Sequence, residues 1–77
     1  MAPHLTISPD PPQAGKSVLV CTEANTPQTV TITIAGQDPV TLVLKEPCNS
    51  WSVPADSAGK MVNFHAPPCP DISVLIA

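Results

Sequence analysis

Thr29-Val30-Thr31-Ile32-Thr33-Ile34-Ala35, then Gly36-Gln37-Asp38-Pro39, then Val40-Thr41-Leu42-Val43-Leu44-Lys45: this stretch decides the fold. Val30, Ile32 and Ile34 alternate with Thr29, Thr31 and Thr33, and Val40, Leu42 and Leu44 repeat the same period beyond a turn. A period of two sends one set of side chains inward and the other outward, so the stretch predicts a half-buried antiparallel hairpin. Two strands alone are marginal in water, and the Val/Ile/Leu face requires a second layer.

The rest of the chain has to supply that layer from little material. With 77 residues there is room for one domain, expected to fill residues 1–77 with no linker or tail. A domain this small buries only about 60% of its unfolded surface. Charged residues make up 12% of the chain, about half the roughly 25% usual in globular proteins. The surface is therefore largely neutral and poorly protected against association. Only Lys16, Lys45 and Lys60 are basic, and the net charge is -3, which excludes the basic footprint that nucleic acid requires. There is no Arg for bidentate phosphate or carboxylate clamping. No apolar run approaches the length of a helical membrane span. Met1-Ala2-Pro3-His4 lacks the basic region and apolar core of a secretory signal.

Eleven prolines break almost any helix, and no window shows apolar residues at three-four spacing. The expected class is all-β. Leu5-Thr6-Ile7 is a short first strand, kinked at its end by the proline run Pro9 to Pro12. Ser17 to Thr22 is the second, and the organising hairpin supplies the third and fourth. Ser50 to Val53, Lys60 to His65 and Asp71 to Ile76 complete the set, with Glu23–Pro27, Glu46–Asn49, Ala55–Gly59 and Ala66–Pro70 as connections. Turn signals at roughly eight-to-twelve-residue spacing are the pattern of a sandwich.

Two segments carry a family resemblance. Pro9, Pro11, Pro12, Ala14, Gly15, Val18 and Val20 resemble the kinked first strand and the second strand of immunoglobulin-like domains. Trp51 to Gly59, with Asp56-Ser57-Ala58, looks like the corner that leads into their sixth strand. The resemblance implies a seven-stranded Greek-key β-sandwich of the smaller, fibronectin-type or bacterial kind. Its first, second and fifth strands would face a sheet of the fourth, third, sixth and seventh. The sequence departs from antibody-type domains in three ways: the corner tyrosine is missing, Val62 and Phe64 stand where the sixth strand usually has cysteine, and Trp51 lies on the fifth strand instead of the third.

Traced through that topology, Cys21, Cys48 and Cys69 come to one pole of the sandwich. Cys48 and Cys69 lie in proline-flanked loops and are expected to form a disulfide, closing about 20 residues and contributing on the order of 3 kcal/mol. Cys21 is expected to be a buried small hydrophobe. Three free thiols, or a cysteine linking subunits, are the alternatives. A Cys3His zinc set with His65 is a weaker reading, because no C-x-x-C pair is present; no metal or cofactor is expected.

Other candidates favour plain readings. His4 and His65 have no nucleophile elbow beside them, so no catalytic residue is expected. Asp10, Asp38, Asp56 and Asp71 sit beside Pro or Ser in turns, without the Asp-x-Asp-x-Asp run of a calcium loop, and Asp56 is expected to bond the corner backbone. Trp51 suits core packing better than sugar stacking, since Phe64 is the only other aromatic residue. The row Thr29, Thr31, Thr33 with Thr41 and Val43 is a flat, uncharged outer face. Threonine also suits an ordinary solvated strand, but the lack of charge favours protein docking.

These readings point away from an enzyme and toward a structural or binding module. A small, neutral, proline-stiffened sandwich looks similar to the accessory proteins of phage virions, which bind capsid, collar or tail surfaces through immunoglobulin-like domains. The expectation is a virion component, made in the host cytoplasm, that docks in many copies on viral structural protein or on its own copies. The alternative is an extracellular adhesion or carbohydrate-binding domain.

Overall fold

A computed structural model describes residues 3–77. Its strands, in chain order, are β1 (Leu5–Ser8), β2 (Ser17–Thr22), β3 (Gln28–Ile34), β4 (Val40–Leu44), β5 (Cys48–Ser52), β6 (Met61–His65) and β7 (Ile72–Leu75). No helix occurs among the described residues. All pairings are antiparallel. The strands form a three-stranded sheet of order β1-β2-β5 and a four-stranded sheet of order β4-β3-β6-β7, the division into sheets that the family resemblance implies.

Alternation builds the space between the sheets. Val18 and Val20 of β2, Val30, Ile32 and Ile34 of β3, Leu44 of β4, and Val62 and Phe64 of β6 are buried, and Leu5, Val53, Ala66 and Ile76 close the core around them. Trp51 enters from β5 and meets Phe64 edge-on, with ring centroids 5.7 Å apart and planes at 89°. This T-shaped contact suits the ring quadrupoles and joins the two layers.

The hairpin register pairs Thr31 with Thr41 and Ile32 with Val40. At the turn, Gln37 donates its backbone N–H to the Ile34 carbonyl at 2.9 Å, and Gly36 has φ 80°. Positive φ at the third turn position defines a type II turn and calls for glycine. The same Ala-Gly pair builds two other corners: Lys16 N–H bonds to Gln13 O, and Lys60 N–H to Ser57 O. In the corner before β6, Ser57 donates its hydroxyl to Pro54 O at 2.6 Å, so Ser57 performs the bonding expected of Asp56.

The expected inward row of β4 holds for Leu44 and fades along the strand. Leu42 is half-buried, and Val40, on the same face, is 48% exposed. Four strands stacked on three leave the outermost strands overhanging. The inward residues Ile72 and Val74 of β7, at the opposite edge, are likewise half-buried.

The cysteine pairing differs from the expectation. The disulfide joins Cys21 to Cys48, and Cys69 is free and buried; Cys48 and Cys69 are not bonded. Cys21 and Cys48 stand directly opposite each other in the β2–β5 ladder. Val18, Val20 and Thr22 point inward, so Cys21 must point to the outer face of that sheet. Cys69 lies on the inner side, where its Sγ is 3.6 Å from the Thr22 hydroxyl. The three sulfurs share one pole as expected, but strand alternation puts Cys21 and Cys48 on the outer face and Cys69 on the inner side. Cys21 is accordingly no buried hydrophobe, and Cys69 takes that place.

Candidate functional site

Among the described residues, no strand contains Asp, Glu or Lys; Asp10, Lys16, Glu23, Asp38, Lys45, Glu46, Asp56, Lys60 and Asp71 all lie in turns and connections. Both broad outer faces are therefore without fixed charge.

The outer face of the four-stranded sheet contains every residue of the expected docking row. Thr29 stands opposite Val43, and Thr31 stands between Thr41 on β4 and His65 on β6. Thr33 faces Asn63, which faces Ser73 on β7. Thr29, Thr41 and Val43 are exposed, while Thr31 and Thr33 are half-buried between neighbouring strands. The sequence missed the other half of this face. Met61 and Leu75 are directly opposed at one corner and are 49% and 56% exposed. Each belongs to a short strand whose inward residues alone mark it in the sequence.

Polar groups on the face are largely matched with one another. Ser73 donates its hydroxyl to Asn63 Oδ1 at 2.7 Å. His65 Nδ1 and Asp71 Oδ1 are 2.7 Å apart at the rim, both about half exposed. An exposed pair of this kind contributes little to stability, roughly 0–1 kcal/mol, and leaves the centre of the sheet neutral. The result is a flat area of methyl and hydroxyl groups.

The outer face of the three-stranded sheet is also uncharged. It presents Thr6, Ser8, Ser17, Leu19, Ser50 and Ser52 around the Cys21–Cys48 bridge. It is narrower by one strand and offers Leu19 as its exposed large hydrophobe.

At the pole near Cys69, an open cleft of about 880 Å³ is lined by His4, Glu23, Pro27, Gln28, Pro67 and Pro68, among others. Gln28 is buried and donates through Nε2 to the carbonyls of Ala66 at 3.0 Å and Pro67 at 3.3 Å, and to Cys69 Sγ at 3.7 Å. Its Oε1 lacks a partner. This network ties β3 to the loop after β6 and accounts for a polar residue at an inward position. His4 is exposed and uses its backbone N–H toward Glu23 Oε1 at 2.9 Å.

The weaker alternatives do not assemble. The three sulfurs and His65 form no common site, since two sulfurs are bonded to each other and the third lies across the sheet. No group of three or more His, Cys, Asp or Glu residues converges among the described residues. Trp51 is half-buried against Phe64 between the sheets, in the packing role preferred from the sequence.

No protein-family model matches the chain, and no curated protein or solved structure matches it.

Proposed function

We propose that this chain is a non-enzymatic binding module of the immunoglobulin-like, fibronectin-type kind, which docks through the outer face of its four-stranded sheet onto a symmetric protein surface. The topological part rests on the sheet orders β1-β2-β5 and β4-β3-β6-β7. The functional part rests on one observation, the exclusion of fixed charge from the strands, which leaves Thr29, Thr31, Thr33, Thr41 and Val43 on a neutral plane. Burying such a plane carries none of the cost of stripping water from ions, and β-branched side chains hold few rotamers to lose on contact.

The surface that fits best is a phage capsid, collar or tail, where a small accessory protein occupies many equivalent positions. Binding only the assembled form stabilises that form by mass action. The Cys21–Cys48 bridge would add durability outside the cell. The test is co-sedimentation with purified virions from the source in which the chain is encoded, with copy number measured by quantitative mass spectrometry. Stoichiometric recovery at a simple ratio to the main shell or tail protein is expected. Absence from particles, or recovery only in the soluble fraction, contradicts the proposal.

A further inference from the structure

The edge of β7 has a half-finished ladder. Ile76 directs its N–H to Lys60 O and accepts from Gly59 N–H on the β6 side. Ala77, the next residue, points the other way, donating to Pro12 O at 2.8 Å and accepting from Ala14 N–H at 2.9 Å. That pattern, one residue bridging two positions two apart, is a parallel pairing of segment 12–14 beside β7. Backbone direction alternates along a strand, so Leu75 and Ser73 must present their N–H and C=O groups outward on the same edge as Ala77. The chain's own segment does not continue along them: Pro12, Pro11 and Pro9 lack N–H groups, and the chain passes into β1 on the other sheet.

We propose that a second copy of this chain pairs with this edge, β7 against β7, antiparallel about a two-fold axis at Val74. Ser73 of each copy then stands opposite Leu75 of the other, and both pairs exchange N–H···O=C bonds. Several features favour a second copy as the occupant. The outward row is self-complementary under that rotation. The half-buried Val74 side chains, left uncovered by the overhang, meet each other. Leu75, exposed on the outer face beside Met61, acquires a neighbouring strand. The strand contains no Lys, Pro or other charge that would guard an edge. Asp71 precedes the strand and is engaged by His65, so no like charges are opposed within the ladder. Because β7 begins at Ile72, the partner chain leaves the sheet before reaching segment 12–14. The contact is short, which places it among weak interfaces. It does not depend on the docking role proposed above.

The test is sedimentation equilibrium of the purified oxidised chain up to about 1 mM, with amide exchange read at single residues. A monomer–dimer equilibrium is expected, with Ser73 and Leu75 amides gaining protection as concentration rises. Ser73→Pro removes an outward N–H and no backbone bond to β6, together with the exposed hydroxyl bond to Asn63, and should weaken the dimer roughly tenfold or more. Leu75→Lys, which removes no backbone group, should do likewise and covers the case in which the proline variant does not fold. A monomer throughout the range, or a dimer unaffected by Leu75→Lys with unchanged Ser73 and Leu75 amides, overturns the proposal.

Discussion

Cys21 and Thr22 are neighbours in the chain, yet Thr22 touches the buried sulfur of Cys69 while Cys21 bonds to Cys48 on the other side of the sheet. Strand alternation alone produces this separation. The bridge spans 27 residues of sequence and ties the start of β5, just after the chain crosses between the sheets, to β2. For a loop of that length, Cys48→Ser is expected to cost roughly 3 kcal/mol, against about 1 kcal/mol or less for Cys69→Ser. Urea titrations of the two variants check this; the reverse order would contradict the pairing. In the native oxidised protein, a thiol reagent should modify Cys69 only after unfolding, as mass spectrometry of the labelled peptides will show. Phe64 makes a comparable point about packing. It is wholly buried and supports Trp51, so Phe64→Ala should cost about 3–5 kcal/mol. Val40→Ala, at an overhanging position, should stay within roughly 0.5 kcal/mol.

At the scale of strands and turns, much of the molecule could be read from alternation. Thr29 to Lys45 gave the hairpin, and the inward set Val30, Ile32 and Ile34 is buried. Two kinds of information were not local. Whether an inward position is covered depends on how many strands face it, and four against three leaves Val40 and Val74 partly uncovered. Which cysteines meet depends on register as well as on the end of the sandwich, and the fifth strand begins at Cys48, inside what reads as a proline-bounded loop. The outer threonine row is legible because Thr alternates with Val and Ile. Met61 and Leu75 are not, because their pairing joins two short strands across a proline-rich connection. The turns repeat one local pattern: each of the three glycines follows an alanine and has φ near 80°. Gly36→Ala meets no atom within 4 Å, so its cost is backbone alone, roughly 1–2 kcal/mol. Thermal unfolding of that variant measures it, and an unchanged midpoint would contradict the turn assignment.

For the whole molecule, the distribution of charge matters more than its amount. Nine charged residues are present, and all sit in turns and connections, so the faces are neutral while the ends carry the net charge of -3. Charge confined to the poles leaves the sheet faces without ions to desolvate on contact. The two faces are not equivalent: the four-stranded one is wider and carries the threonine rows with Val43, Met61 and Leu75, and the three-stranded one carries serines around the disulfide. The proposed docking therefore predicts an asymmetry between them. The decisive measurement compares Thr31→Lys with Ser50→Lys, one charge on each outer face, by titrating labelled protein onto purified particles. Docking through the four-stranded sheet predicts that Thr31→Lys weakens binding by roughly tenfold or more, that Ser50→Lys binds as the parent does, and that both retain the parent's unfolding midpoint. Full binding by Thr31→Lys, or loss confined to Ser50→Lys, would contradict it.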